Sequence, residues 1–511
     1  MSGTDAWLER LERASDRLSP IVVKEVRQLA RGREFHYSFN LALLVGLAVA
    51  FFGAADSLGG SGTSGRWTFA ALTGALGLLG FAVVPLGAFN ALRNERMEQT
   101  LELITLTALS PRRVVIGKLL AQGVKLATLF AGLAPFIAMS FLLGGVDFAT
   151  ILVSMLVIVM WSLCLSAACL FLSALVTSRA MSGFLFGAVG IVVLLALLVF
   201  GAPGAFYVIR MRGGMHGSFA GGMGAGGATS WWTLAASTAF CVALIVNLVL
   251  LAENRLLLPS QNRSTALRLG FLAQLLLIAP LALSAPGSTW SDAGRPLLGF
   301  GVIHLAIVAA FTVTEDLVLP RRVLLARQEL PSWRRVLAPL QPGGGNGALY
   351  VLLQMAALLA LGWVLQTDRS MLHWFVVACG YICFFTGAPV VIFRAVRPIQ
   401  SASFRLRLAL IVVLAGAMLM PDVLAYMLWQ PDGLDLKFSL RHLLNPFRTL
   451  ANFYGASVPY RTLAELIGIT GALAYVVLIR IGAGVTLEPV PDGPDEPEAA
   501  AGEPDGANVL S

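Results

Sequence analysis

Charge is what this chain has least of. Only 13% of its 511 residues are charged, against 57% hydrophobic. A water-soluble domain has no use for so much apolar surface, so a bilayer has to be the solvent. Cysteine is scarce too: Cys164, Cys169, Cys241, Cys379 and Cys383 all fall inside apolar runs. Cys379 and Cys383 share a helix face, but no His or second Cys pair completes a zinc pattern, so the five read as small buried thiols and no metal is expected. No apolar run carries the row of acidic residues that a proton or sodium relay needs. No Ser/His/Asp, His-Glu-x-x-His or paired-carboxylate set falls in a common plane, so no catalytic residue is assigned and the chain does not read as an enzyme. A nucleotide-binding motif is missing as well. Gly117-Lys118 is followed by Leu119 and lacks the upstream glycine, so nucleotide energy would have to come from a separate polypeptide. The glycine-rich stretch 213–227 has no Lys-Ser/Thr after a glycine and no strand before it, and reads as a flexible linker. No cofactor is implied.

What the chain has is long apolar runs. They fall at about 37–55, 67–92, 114–143, 148–176, 181–200, 231–251, 269–284, 297–319, 348–365, 372–393, 408–429 and 463–481. The fold class expected is an all-α polytopic membrane protein with about twelve crossings of roughly 20 residues each. The runs near 114–143 and 148–176 exceed that length, so they tilt or project, and Pro135 is a candidate kink. The segment up to about Phe35 is charged and has no short apolar run with a cleavage site, so the first crossing is expected to act as an uncleaved insertion signal. Ten tryptophans and eight tyrosines suit the two interfacial belts.

The net charge of +8 concentrates in short loops, which points to topology rather than to nucleic acid. With the N-terminus inside, the loops at 93–113, 177–180, 253–268, 320–347 and 394–407 hold most of the Lys and Arg. The expectation is therefore a cell (inner, cytoplasmic) membrane protein with both termini cytoplasmic. Four regions follow: a cytoplasmic N-terminus at 1–36, six spans at 37–252, six more at 253–482 with the basic loop 320–347, and an acidic, Pro-rich tail at 483–511 expected to be disordered. Inside the spans, Asn247, Gln274, His304, Gln354 and His373 are the polar suspects. His304 is the most central, but it has no acidic neighbour on adjacent turns and fits a hydrogen-bonded packing role.

Two short polar segments stand apart. Ser19-Pro20 opens a helix to about Arg33, with Val22, Val26, Leu29 and Ala30 on one side. Lys24, Glu25, Arg27, Gln28 and Arg31 face elsewhere, as on an interface helix with its charges among headgroups. The loop 93–113 has a helical pattern of its own. Leu101, Ile104 and Leu109 lie near one face, and Glu95, Glu98 and Glu102 cluster on another. Ser110-Pro111 reads as an N-cap with proline at the first helical position, restarting a helix that enters the third span. Such a helix at a membrane face is either an ordinary polar loop or a docking knob.

The segment Glu95-Arg96-Met97-Glu98-Gln99-Thr100-Leu101-Glu102-Leu103-Ile104-Thr105-Leu106-Thr107-Ala108-Leu109-Ser110-Pro111-Arg112-Arg113, continuing to Gly117-Lys118-Leu119-Leu120, resembles the first cytoplasmic loop of ABC-2-type transporter permeases. Ser19-Pro20-Ile21-Val22-Val23-Lys24-Glu25-Val26-Arg27 is similar to the opening of many such permeases. Gln99 stands where a glycine is usual and Ala108 where a proline is usual. The likeness covers residues 19–250; beyond it only the layout and Asn445-Pro446-Phe447 are similar. The resemblance implies a six-helix ABC-2-like core and six further helices. It also implies a coupling helix that docks on a cytosolic ABC ATPase subunit, and a homodimer or heterodimer of permeases in the lipid bilayer. On that basis Leu101, Leu103 and Leu106 form the hydrophobic contact. Glu95, Glu98 and Glu102 pair with basic residues of the ATPase, and Thr100, Ser110 and Pro111 belong to the same ATPase-coupling segment. Lys24, Glu25 and Arg27 belong to the interface helix. The function implied is export driven by the partner's ATP hydrolysis, with a hydrophobic or amphipathic cargo. A non-transporting scaffold or sensor that keeps the permease fold is the alternative, and a membrane-embedded enzyme or ion-coupled carrier is a third.

Overall fold

A computed structural model describes residues 20–59, 64–98, 110–143, 146, 148–196, 228–257, 261–284, 290–315, 337–396, 410, 413–414, 416–417, 443–453 and 458–483. The segment 99–109, the glycine-rich stretch 213–227, most of the basic loop 320–347, most of the run at 408–429 and the tail lie outside the described residues.

The described residues are helical. Helix α1 is Pro20–Arg31 and α2 is Arg33–Leu58. Helix α3, Ser64–Leu78, passes through a π-helical turn at Leu79–Val83 into α4, Val84–Met97. There follow α5 (Pro111–Leu142), α6 (Phe148–Ser173), α7 (Arg179–Ala196), α8 (Ala228–Leu256), α9 (Thr265–Leu283) and α10 (Trp290–Thr312). The last four are α11 (Gly344–Val364), α12 (Arg369–Val396), α13 (Pro446–Asn452) and α14 (Val458–Ala483). Among the described residues nine helices are long and apolar enough to cross a membrane, with shorter apolar helices at Arg179–Ile191 and Thr265–Leu281. The protein is a multi-pass membrane protein, and its exposed Leu, Phe, Ile and Val side chains have lipid as their natural solvent.

The helices fall into two compact units. One holds α1 to α9, α10 up to Val308, and Leu353–Cys379 of α11 and α12. Its bundle is built around α5 and α6: α5 packs against α1, α2, α3, α4 and α8, and α6 against α3, α4, α7 and α8. One apolar core joins Phe89, Leu92, Val115, Cys169, Leu170 and Val189; a second joins Leu72, Leu76, Leu126, Leu129 and Leu133. All five cysteines are free and buried.

The other unit holds Ala309–Leu352 and the chain from Gly380 on, including α13 and α14. Its α12 and α14 cross closely, because a side chain at Gly380 would meet the backbone of Gly468 at 2.5 Å. Small residues substitute for the hydrophobic drive that helices lack in lipid. Asn445 caps α13 by accepting from the Arg448 N–H at 3.1 Å, with Pro446 at the first helical position.

One boundary and one cap differ from those read in the sequence. The second span extends from Ser64 to Met97, so residues 93–97 of the expected loop belong to α4. Their charged side chains are absorbed by neighbouring elements, which outweighs the break expected from polarity. Helix α5 does begin at Pro111 after an extended Ser110, but the Ser110 side chain makes no capping bond. Its carbonyl accepts from Arg113 N–H instead, and the fixed φ of Pro111 suffices to start the turn.

Candidate functional site

Three separate stretches meet at one lysine. Lys118, eight positions into α5, has its side chain only 2% exposed. Its Nζ lies 3.0 Å from Glu25 Oε1 of α1 and 2.9 Å from Glu95 Oε1 of α4, and donates to the Ala91 carbonyl at 3.3 Å. Lys24, well exposed, stands 4.0 Å from Glu95 Oε1. Two carboxylates surround the one buried ammonium, so Lys118 is compensated as a buried ion has to be. Close helix packing makes this possible. A Cβ at Gly117 would meet Ile21 Cγ2 at 2.8 Å, so glycine lets α1 lie against α5 closely enough for Glu25 to reach Lys118.

Arginines brace the same end of α4. Arg96 donates to the carbonyls of Val176 at 2.9 Å and Arg255 at 3.2 Å, tying α4 to the segments that end α6 and α8. Arg93 donates to Ser182 Oγ at 2.6 Å and to Asn90 Oδ1 at 3.3 Å. Beside them a cleft of about 470 Å³ is lined by Arg93, Asn94, Met97, Glu98, Arg179 and Ser182. The end of α4 and the start of α5 are therefore held to their neighbours by buried charge.

The residues expected to act here separate into groups. Glu25 does not lie among headgroups: it is buried and paired with Lys118, Val22 on the same face is buried too, and Ala30 is exposed. Lys24 and Arg27 are exposed. Glu95, expected to meet a basic residue of another protein, has its carboxylate engaged by Lys118, because the helix continues far enough to turn it inward. Glu98 is exposed at the cleft, Ser110 is exposed and Pro111 half-buried. Thr100, Leu101, Glu102, Leu103 and Leu106 lie outside the described residues.

A second polar feature continues along the α4–α5 seam. Lys118, Gln122 and Lys125 recur at helical spacing on one side of α5, all buried. They face Ala91, Gly87 and Val83, which recur every fourth residue along the opposing chain. Lys125 Nζ reaches the Val83 carbonyl at 3.5 Å. That carbonyl belongs to the π-helical turn, a local widening that redirects backbone groups and recurs at functional positions. Ser162 Oγ of α6 donates to Gly80 O of the same turn at 2.6 Å. Neither Gln122 nor Lys125 stands out in the sequence. The usable signal is the spacing of three polar residues within an otherwise apolar run.

The polar residues singled out in the later spans lie apart from this seam. Asn247 Nδ2 donates to Gln274 Oε1 at 2.5 Å, joining α8 to α9. His304 is buried and stacks on Phe300 at 6.0 Å, with Phe271 edge-on at 6.1 Å. Gln354 is buried on α11. Among the described residues no group of three or more His, Cys, Asp or Glu is placed to hold a metal ion.

No family model, no curated protein and no solved structure matches this chain.

Proposed function

We propose that the chain is the membrane subunit of an ABC-2-type exporter, driven by a separate cytosolic ATPase that docks on the segment 99–109. The observation that carries this reading is the meeting of Glu25, Glu95 and Lys118 in one buried ion cluster. These residues come from the three stretches on which the resemblance rests: the opening Lys24-Glu25, the start of the loop at Glu95-Arg96, and Gly117-Lys118 after it. A loop meant only to connect two spans needs no such fastening. A loop that transmits force does, because displacement at its tip reaches the bundle only if both roots move as one body. In this reading the loop and both termini are cytoplasmic, Glu98 and Glu102 meet basic groups of the ATPase, and Leu101, Leu103 and Leu106 fill its groove. Glu95 is a root of the knob rather than a contact. Two chains pair in the membrane, and the cargo leaves the cytoplasm.

The test is co-purification of the tagged full chain from its native membrane. The expected companion hydrolyses ATP and is lost with Glu102→Arg or Leu103→Asp. A chain that carries no ATPase, or one indifferent to both substitutions, overturns the proposal, as does labelling of a cysteine placed at Glu98 from the outer side. Retained ATPase binding without nucleotide-dependent movement of any cargo points to the scaffold instead.

A further inference from the structure

The Lys125 ammonium is an unusual charge. Its residue is only 4% exposed. It lies 14 residues into α5, about 21 Å along the axis at 1.5 Å per residue. Among the described residues it forms no salt bridge; its hydrogen bond is the long one to Val83 O. The carboxylate whose field reaches it is Glu34, in the first turn of α2, which stands beyond ion-pair distance. One bond to a neutral carbonyl leaves most of the ammonium's donor capacity unused.

A second observation concerns the space in front of it. The point that a Cβ of Gly87 would occupy is 3.3 Å from Lys125 Nζ and 3.3 Å from Gln122 Oε1. Gln122 is 1% exposed, and its Oε1 has no hydrogen-bond partner among the described residues. A cation and an unsatisfied amide thus converge on one glycine, whose bare backbone leaves them only a tight contact notch in this conformation. An ionisable group kept inside a span without a protein counter-ion is a functional feature by default. We infer that the Lys125–Gln122–Gly87 notch binds one oxygen of an anionic group, a phosphate or carboxylate, carried by an amphipathic molecule. Lys125 supplies the charge, and the Gln122 amide turns its N–H₂ or its oxygen to the occupant according to that occupant's protonation. The apolar α4 and α5 surfaces on either side receive the hydrocarbon. The notch is closed in this conformation, so the occupant is admitted when α4 and α5 part along their seam. Lys118 and its carboxylates lie seven residues away on the same side of α5.

The inference needs no ATPase, so it is read on the isolated full chain and its failure leaves the exporter proposal standing. The probe is dodecyl phosphate, titrated into protein purified in a neutral maltoside detergent and followed by equilibrium dialysis. Dodecyl trimethylammonium and inorganic phosphate are titrated in parallel. Saturable binding of dodecyl phosphate is expected, weakened by about tenfold or more in Lys125→Met, since a charge-assisted bond to a desolvated anion is lost, and largely retained in Lys125→Arg. Gly87→Ala, which fills the notch without altering any charge, is also expected to weaken binding. If Lys125→Met does not fold, Gly87→Ala decides the matter. Inorganic phosphate binding with the same dependence on Lys125 supports the anion site and assigns its occupant to free anion. Equal affinity in wild type, Lys125→Met and Gly87→Ala overturns the inference. So does equal binding of dodecyl trimethylammonium.

Discussion

Lys118 and Lys125 sit seven residues apart on one side of one helix, and the bundle treats them oppositely. Lys118 has two carboxylates within 3.0 Å and a backbone carbonyl besides. Lys125 has one carbonyl at 3.5 Å and faces an amide oxygen left without a partner. Taking an ammonium out of water costs several kcal/mol, by rough reckoning, unless partners replace the hydration shell. The first lysine is therefore finished by the fold, and the second is not. A finished buried ion is a fastening: it adds little net stability but specifies which segments must lie together. An unfinished one is a place where something else completes the shell.

That contrast can be broken at the fastened end first. Lys118→Met strands the buried Glu25 beside the partly buried Glu95 as like charges, and a loss of about 3–5 kcal/mol is expected. Thermal melts in detergent check it, and adding Glu25→Gln and Glu95→Gln to the same chain should restore most of the loss. If Lys118→Met melts like the wild type, the cluster is not a fastening. A smaller effect, about 1–3 kcal/mol of overpacking, is expected from Gly117→Val, because the new side chain runs into Ile21. It should free α1 from α5, seen as faster proteolysis within Pro20–Arg31. The smallest change belongs to Lys24→Ala. This lysine is 62% exposed and 4.0 Å from its partner, so the melt should shift by no more than about 0.5 kcal/mol equivalent. A large effect there would mean that the outer lysine, rather than Lys118, holds Glu95.

A second polar neighbourhood of the first unit is satisfied only in part. Asn247 Nδ2 donates to Gln274 Oε1 across α8 and α9, while Asn247 Oδ1 has no hydrogen-bond partner among the described residues. Both are visible in sequence as amides stranded in apolar runs. Gln122 and Lys125 also interrupt an apolar run, but they are not among the polar residues singled out in the sequence. Helix length is the reason: α5 runs from Pro111 to Leu142, longer than a crossing requires, so polarity near its start is no guide to burial.

Several features are legible in residue order alone. Hydropathy marks the crossings because a helix in lipid has to be apolar over a fixed length. Pro20 and Pro111 mark helix starts because proline fixes φ and needs no donor there. Spacing by itself puts Glu25 on the charged, outward side of α1. The structure buries it instead, because periodicity does not tell which face a neighbouring helix will cover.

Residue order and bilayer physics thus determined an all-helical, membrane-spanning chain with charge gathered between its spans. Only the tertiary structure decided which charges belong to the interior. Glu25, Glu95 and Lys118 are up to 93 residues apart in sequence, and only packing that lets Gly117 admit α1 beside α5 brings them within bonding distance. Burial and pairing of charge are properties of the space between helices, and no single segment contains that information.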